Sequence, residues 1–278
     1  MPHKLTRIHV LLFILTFMTT TIAGALLNGV IPWLQPEKIY LGLPFSLTLI
    51  FILLTHEMSH YIASRLHNVT ATLPYFIPAP SIIGTFGAVI KMKPPIPDRR
   101  SLIDIGASGP IGGFIIAVIA CVIGLHLSEV KPTGEIQEGL TFGSSLLFSF
   151  LTKIVLGIDP DKYDILLHPV AFAGWIGLLV TSLNLLPIGQ LDGGHITYAL
   201  LGEKHAWISK GMLPVLVVLG IVYWEGWFIW AVLMIFLGYR HPPVVYPNIQ
   251  LNRNRKLIGW LALVIFILTF TPMPVRGI

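Results

Sequence analysis

Charge is scarce in this chain. Only 11% of its 278 residues are Asp, Glu, Lys or Arg, against roughly a quarter in an ordinary soluble domain. Cysteine is scarcer still: Cys121 stands alone inside an apolar run. That excludes an internal disulfide and a cysteine-built metal site, and reads as a small buried hydrophobe. No internal repeat or low-complexity tract stands out. The net charge of +5 is spread over the connections between apolar runs, so it reports topology rather than nucleic-acid binding. What fills the chain is apolar. Hydrophobic residues make up 54%, the mean hydropathy is +0.79, and several runs reach the roughly 20 residues that a helix needs to cross a bilayer.

These features predict an all-α polytopic membrane protein, one membrane domain over residues 1–278 lying in a lipid bilayer. Apolar runs at 8–30, 41–66, 104–127, 168–187, 208–224, 226–240 and 257–272 give about six to seven transmembrane helices. The fifth and sixth form a helical hairpin around YWEGW, whose tryptophans suit an interface. The N-terminus resembles a signal peptide, with a basic start, an apolar core and AGA. Its apolar run continues through Val30 and Ile31, so retention as an anchor is expected. With a cytoplasmic N-terminus, 13 of the 18 Lys and Arg fall on the cytoplasmic side and most acids on the other, as the positive-inside rule requires.

Two connections are more than loops. Residues 73–95 are apolar but broken by Pro and Gly, and GTFGAVIKMK alternates like a strand after a Gly turn. Non-helical backbone at membrane depth is tolerated only against protein or a wet cavity, so a re-entrant β-hairpin is expected between the second and third spans. The alternative is an interfacial loop. Residues 129–167 are expected to form an extracytoplasmic loop, with GSSLLFSFLTKIVLG as an interfacial helix.

The chemistry lies in HEMSH, residues 56–60, at the end of an apolar helix. Residues four apart share a helix face, so His56 and His60 present two imidazoles to one metal ion. Glu57 is one position on and able to serve a metal-bound water as general base. The bland reading, a satisfied polar cluster near the helix end, must place three costly residues in an apolar helix. A hydrolytic zinc site needs a third protein ligand and an open position. Asp192, in NLLPIGQLDGGH, follows the fourth span and falls at the depth and on the side of HEMSH. As Asp-Gly it also signals a turn. His195 is the rival ligand, or a residue that orients the site from behind the ligands. Asn184 could bond a substrate backbone or a developing oxyanion, or make an interhelical contact.

HEMSH and NLLPIGQLDGGH together resemble the site-2 protease family of intramembrane zinc metalloproteases. The resemblance covers residues 40 to 200 well and the last spans weakly. It implies one Zn²⁺ held by His56, His60 and Asp192, Glu57 as base, and Asn184 with Pro187 forming the Asn-x-x-Pro turn. It further implies that the hairpin, with Gly84, Phe86 and Gly87, guides substrate, and that GASGPIGGF leads into the third core span at 104–127. On this reading 41–200 is the catalytic core, with the HExxH helix at 41–66 and the Asp-ligand span and turn at 168–200. The implied activity is a metalloendopeptidase cutting in or near a transmembrane segment of a membrane-protein substrate. PDZ and CBS domains are absent from the sequence, as in compact members, and without the long plastid extension a prokaryotic plasma membrane is expected, with the active site toward the cytoplasm. A transporter or a catalytically silent binding relative are the alternatives. The first predicts inverted repeats, and the second usually lacks a ligand or the Glu.

Overall fold

A computed structural model describes residues 5–132, 141–158 and 163–276. Among them nine α-helices carry the fold: α1 (Arg7–Leu27), α2 (Leu43–Leu66), α3 (Arg99–His126), α4 (Leu146–Leu156), α5 (Pro169–Asn184), α6 (Asp192–Leu201), α7 (His205–Val222), α8 (Gly226–Leu237) and α9 (Arg253–Thr269). Among the described residues, four stretches are long and apolar enough to cross a membrane: Arg7–Leu27, Pro36–Leu66, Arg99–His126 and Asp192–Val222. Helices at Leu146–Leu156, Pro169–Asn184 and Gly226–Phe236 are apolar but shorter. The 28 residues of α3 extend about 42 Å, more than the roughly 30 Å hydrocarbon core of a bilayer. Ile115, Ile119 and Ile123, a single stripe on α3, are each about half exposed. Apolar stripes of this kind suit lipid and would be a liability in water.

The helix starts follow local chemistry. The Asp98 carboxylate accepts from the Ser101 amide at 2.8 Å and caps α3. Ser145 caps α4, which ends on Gly157 in the left-handed region. The α7–α8 hairpin turns at Tyr223–Glu225 as expected. The expected span 168–187 stops earlier, at Asn184, because residues 185–191 form a turn containing Pro187 and Gly189, the latter at φ +47°.

Helix α3 is the hub. It packs against α2 and α5 most closely, and also against α6 and α9. The main core joins Phe45, Leu49 and Leu53 of α2 to Cys121 and Leu125 of α3 and to Trp175 and Ile176 of α5. Cys121 is buried and free. A Cβ at Gly174 would meet the Cys121 backbone at 2.7 Å, so the small residue sets the α3–α5 approach.

The expected β-hairpin forms. Strands β1 (Tyr75–Pro78) and β2 (Thr85–Val89) pair antiparallel, Tyr75 opposite Val89 and Phe76 opposite Ala88. It rests on α1: His9 stacks on Tyr75, Phe13 meets Phe76 edge-on, and Thr19 Oγ1 donates to the Gly84 carbonyl at 2.6 Å. Within residues 129–167 the stretch GSSLLFSFLTKIVLG contains a helix, α4. Residues 133–140 and 159–162 of that connection lie outside the described residues. Two small sheets were not foreseen: β3 (Glu129–Pro132) pairs with β5 (Tyr163–Leu166), and β4 (Thr141–Phe142) with β6 (Val275–Arg276).

Candidate metal centre

The last third of α2 carries His56, Glu57 and His60, all buried. The turn at 185–191 delivers Asp192 to the start of α6. His56, His60 and Asp192 each offer a ligand atom, and these atoms lie within 4.8 Å of one another. His56 Nε2 stands 3.2 Å from Asp192 Oδ2, His60 Nε2 stands 3.2 Å from Asp192 Oδ1, and the two Nε2 atoms are 3.2 Å apart. Ligand atoms held about 2.0–2.1 Å from one tetrahedral ion stand about 3.3 Å apart. The three spacings therefore fit a single small ion.

The tautomers agree with that fit. His60 Nδ1 is 2.7 Å from the Ile105 carbonyl. A carbonyl only accepts, so Nδ1 carries the proton and Nε2 of the neutral ring presents a lone pair. Helix α3 supplies more than this carbonyl. A Cβ at Gly109 would collide with His60 Nε2, and one at Gly113 would come to 3.0 Å from His56 Nδ1. Gly109 and Gly113 of GASGPIGGF thus make room for the two imidazoles, a physical reason for these positions that spacing alone did not reveal.

Asn184 ends α5 with Nδ2 3.4 Å from His56 Nε2, so it joins the group. Glu57 is buried on the same helix, and the backbone amide of Ile90, the residue just past β2, faces its carboxylate. The hairpin thereby reaches the centre at its second strand. Gly84 itself sits against α1, at φ +79°. Phe86 is exposed and Gly87 has φ +99° with open space around it.

His195 is not one of the three grouped residues. Its Nδ1 pairs with His241 Nε2 at 2.6 Å, and His241 Nδ1 donates to the Pro242 carbonyl at 2.6 Å. The proton on His241 Nδ1 makes its Nε2 an acceptor, so His195 Nδ1 donates. Tyr198 stacks on His241 at 4.5 Å between ring centroids. Sequence reasoning missed His241; its only signal was a histidine before a Pro pair in a loop. It also missed Asp104, which accepts three bonds from Arg255 Nε and Nη2 at 2.7–3.0 Å and lies 2.9 Å from His67 Nε2.

A polytopic-type helical fold with a buried two-His, one-carboxylate group beside a Glu defines a class, and the comparisons with known proteins agree with it. The family model described as Peptidase family M50 matches residues 44–222. The chain belongs to that family, the site-2 protease family. It is 32% identical over 240 residues to a protein of Arabidopsis thaliana named probable zinc metalloprotease EGY1, chloroplastic, covering 84% of this chain and 43% of that protein. It is 29% identical over 235 residues to probable zinc metalloprotease EGY2, chloroplastic, of the same plant, covering 84% and 42%. The chain thus spans less than half the length of these relatives. No solved structure matches it.

Proposed function

We propose that the protein is an intramembrane zinc metalloprotease that hydrolyses a peptide bond in or near a transmembrane segment of a membrane-protein substrate. The observation that carries this reading is the convergence of His56, His60 and Asp192 on one ion-sized spacing with Glu57 beside them. Membership of the M50 family and relatives named zinc metalloproteases support it.

His56, His60 and Asp192 would hold the zinc. Zinc bound there supplies Lewis acidity, which acidifies water and polarises a carbonyl. Glu57 takes the proton of the attacking water and passes it to the leaving nitrogen. Asn184, next to His56, donates to the oxygen that gains charge. A helical peptide bond is shielded by its own turn, so the substrate unwinds, and its extended strand pairs with the outer edge of β2. The Ile90 amide at the end of β2 faces Glu57, which supports a strand laid along that edge toward the base. Gly87, with open space around it, and exposed Phe86 receive the substrate. His195 orients the Asp192 turn from behind, through its bond to His241.

The catalytic unit is residues 41–200 of one membrane domain, crossed by six to seven spans, with the hairpin re-entering the bilayer. The shorter helices α5, α8 and α9 complete the set. The Lys and Arg distribution supports a cytoplasmic N-terminus and an active site toward the cytoplasm.

The test uses purified full chain with a model transmembrane substrate and bound zinc counted in each variant. Glu57→Gln should lose cleavage while keeping zinc, and Asp192→Asn should lose zinc affinity. Wild-type protein that binds no zinc under any loading condition would sink the proposal.

A further inference from the structure

A cavity of about 620 Å³ opens between α6 and α9. His56, Glu57, His60 and Asp192 do not line it. Its two ends differ in chemistry. One end holds Arg99, Gln250 and Lys256; the body is apolar, with Leu200, Leu263 and Phe266 among its walls. From Lys256 to Phe266 is ten positions along α9, or about 15 Å. That equals half of the roughly 30 Å hydrocarbon core, the depth of one leaflet's acyl chain.

Charge decides the occupant: an apolar body with a cationic end matches an acyl chain carrying an anionic headgroup. The charged end is uncompensated. Arg99 is held in place by donating to the carbonyls of Ala199 and Leu200 at 2.6 and 2.7 Å. Neither Arg99 nor Lys256 pairs with a carboxylate among the described residues. The neighbouring Arg255 is different, being neutralised by Asp104. Trp260 and Leu263 line the cavity yet are exposed, so the side facing the lipid is open.

We propose that this cavity is a binding site for a phospholipid with an anionic headgroup, one acyl chain lying along α9 and the phosphate at Lys256 and Arg99. Basic pockets between spans are suited to such headgroups. The inner wall is Leu185 and Pro187 of the turn that delivers Asp192, with Gly193 of α6 beside it. A bound chain therefore packs against the back of the metal centre and stiffens it.

The test compares thermal unfolding of the full chain in nanodiscs of phosphatidylcholine with and without phosphatidylglycerol, and counts retained lipid by native mass spectrometry. Phosphatidylglycerol is expected to be retained and to raise the melting temperature above that in phosphatidylcholine. Loss of one cation weakens headgroup binding about fivefold, so Lys256→Gln should retain correspondingly less phosphatidylglycerol. Leu263→Trp, which fills the cavity from its lipid-facing rim, should abolish retention; unchanged zinc content in both variants reports an intact fold. Equal stabilisation by the two lipids, or retention surviving in both variants, overturns the proposal. A shift of the same size with inorganic phosphate alone also overturns it, because the acyl chain would then contribute nothing.

Discussion

Gly109→Ala isolates the role of α3 in shaping the metal centre. The added Cβ collides with Nε2 of His60, and the ring cannot swing aside without breaking its Nδ1 bond to the Ile105 carbonyl. Overpacking of a rigid ring costs about 1–3 kcal/mol. A Cβ before Pro110 adds a further clash with helical backbone. Against this stands the ordinary gain of Gly→Ala in a helix, up to about 1 kcal/mol. Gly211→Ala in α7 is the control, since its Cβ would meet nothing within 4 Å. It should gain stability and leave zinc unchanged. Displacing His60 should weaken zinc by at least the 10–100-fold seen when a ligand's orientation is lost. Zinc competition against a fluorescent chelator, with thermal unfolding alongside, reads both effects. If Gly109→Ala binds zinc as wild type does, the idea that this glycine makes room for the ligand is wrong.

Four further outcomes follow from contacts elsewhere. Arg255→Ala should lower stability by about 1.5–3 kcal/mol, because it leaves the Asp104 carboxylate short of its charged donor; Arg255→Lys should restore little, lacking the two-pronged geometry. Gly84→Ala puts a Cβ against the Thr19 backbone at φ +79°, so the hairpin should loosen, with faster limited proteolysis near residues 79–84 and zinc retained. Burial pushes the His241 imidazole down to about 4, with nearby His205 adding to this, although the Pro242 carbonyl favours the charged form. The unfolded chain, at about 6.5, then binds the proton first. Stability is full above pH 6.5 and falls as pH drops toward 4; thermal melts of His241→Gln against wild type should show that slope reduced.

Much of the centre was legible because its signals are local. The i, i+4 spacing of His56 and His60 dictates a shared face, and the match in depth between HEMSH and LDGG pointed to Asp192 from 136 positions away from His56. The turn that ends α5 was also written locally, in Pro187 and Gly189. Long-range partners were not. His241 lies in a loop whose sequence says nothing of His195, and the bond between them depends on where that loop returns. The docking of the hairpin on α1 depends on Thr19 and His9, ordinary residues within an apolar helix. The glycines of α3 were visible as a pattern, but their reason is the shape of rings on another helix. The small sheets at β3–β5 and β4–β6 rest on two to four residues each, too short for alternation to mark.

The two sources of the metal ligands carry a mechanical consequence. His56 belongs to α2 and Asp192 opens α6, so an ion gripped by both ties together two rods joined by a long excursion of chain through α3, α4 and α5. A clip that closes so long a loop removes much of the freedom of the open chain. The ion is then a rivet as well as a reagent. Withdrawing it would leave α6 held to α2 through α3, on which both pack, loosening the frame along with disarming the chemistry.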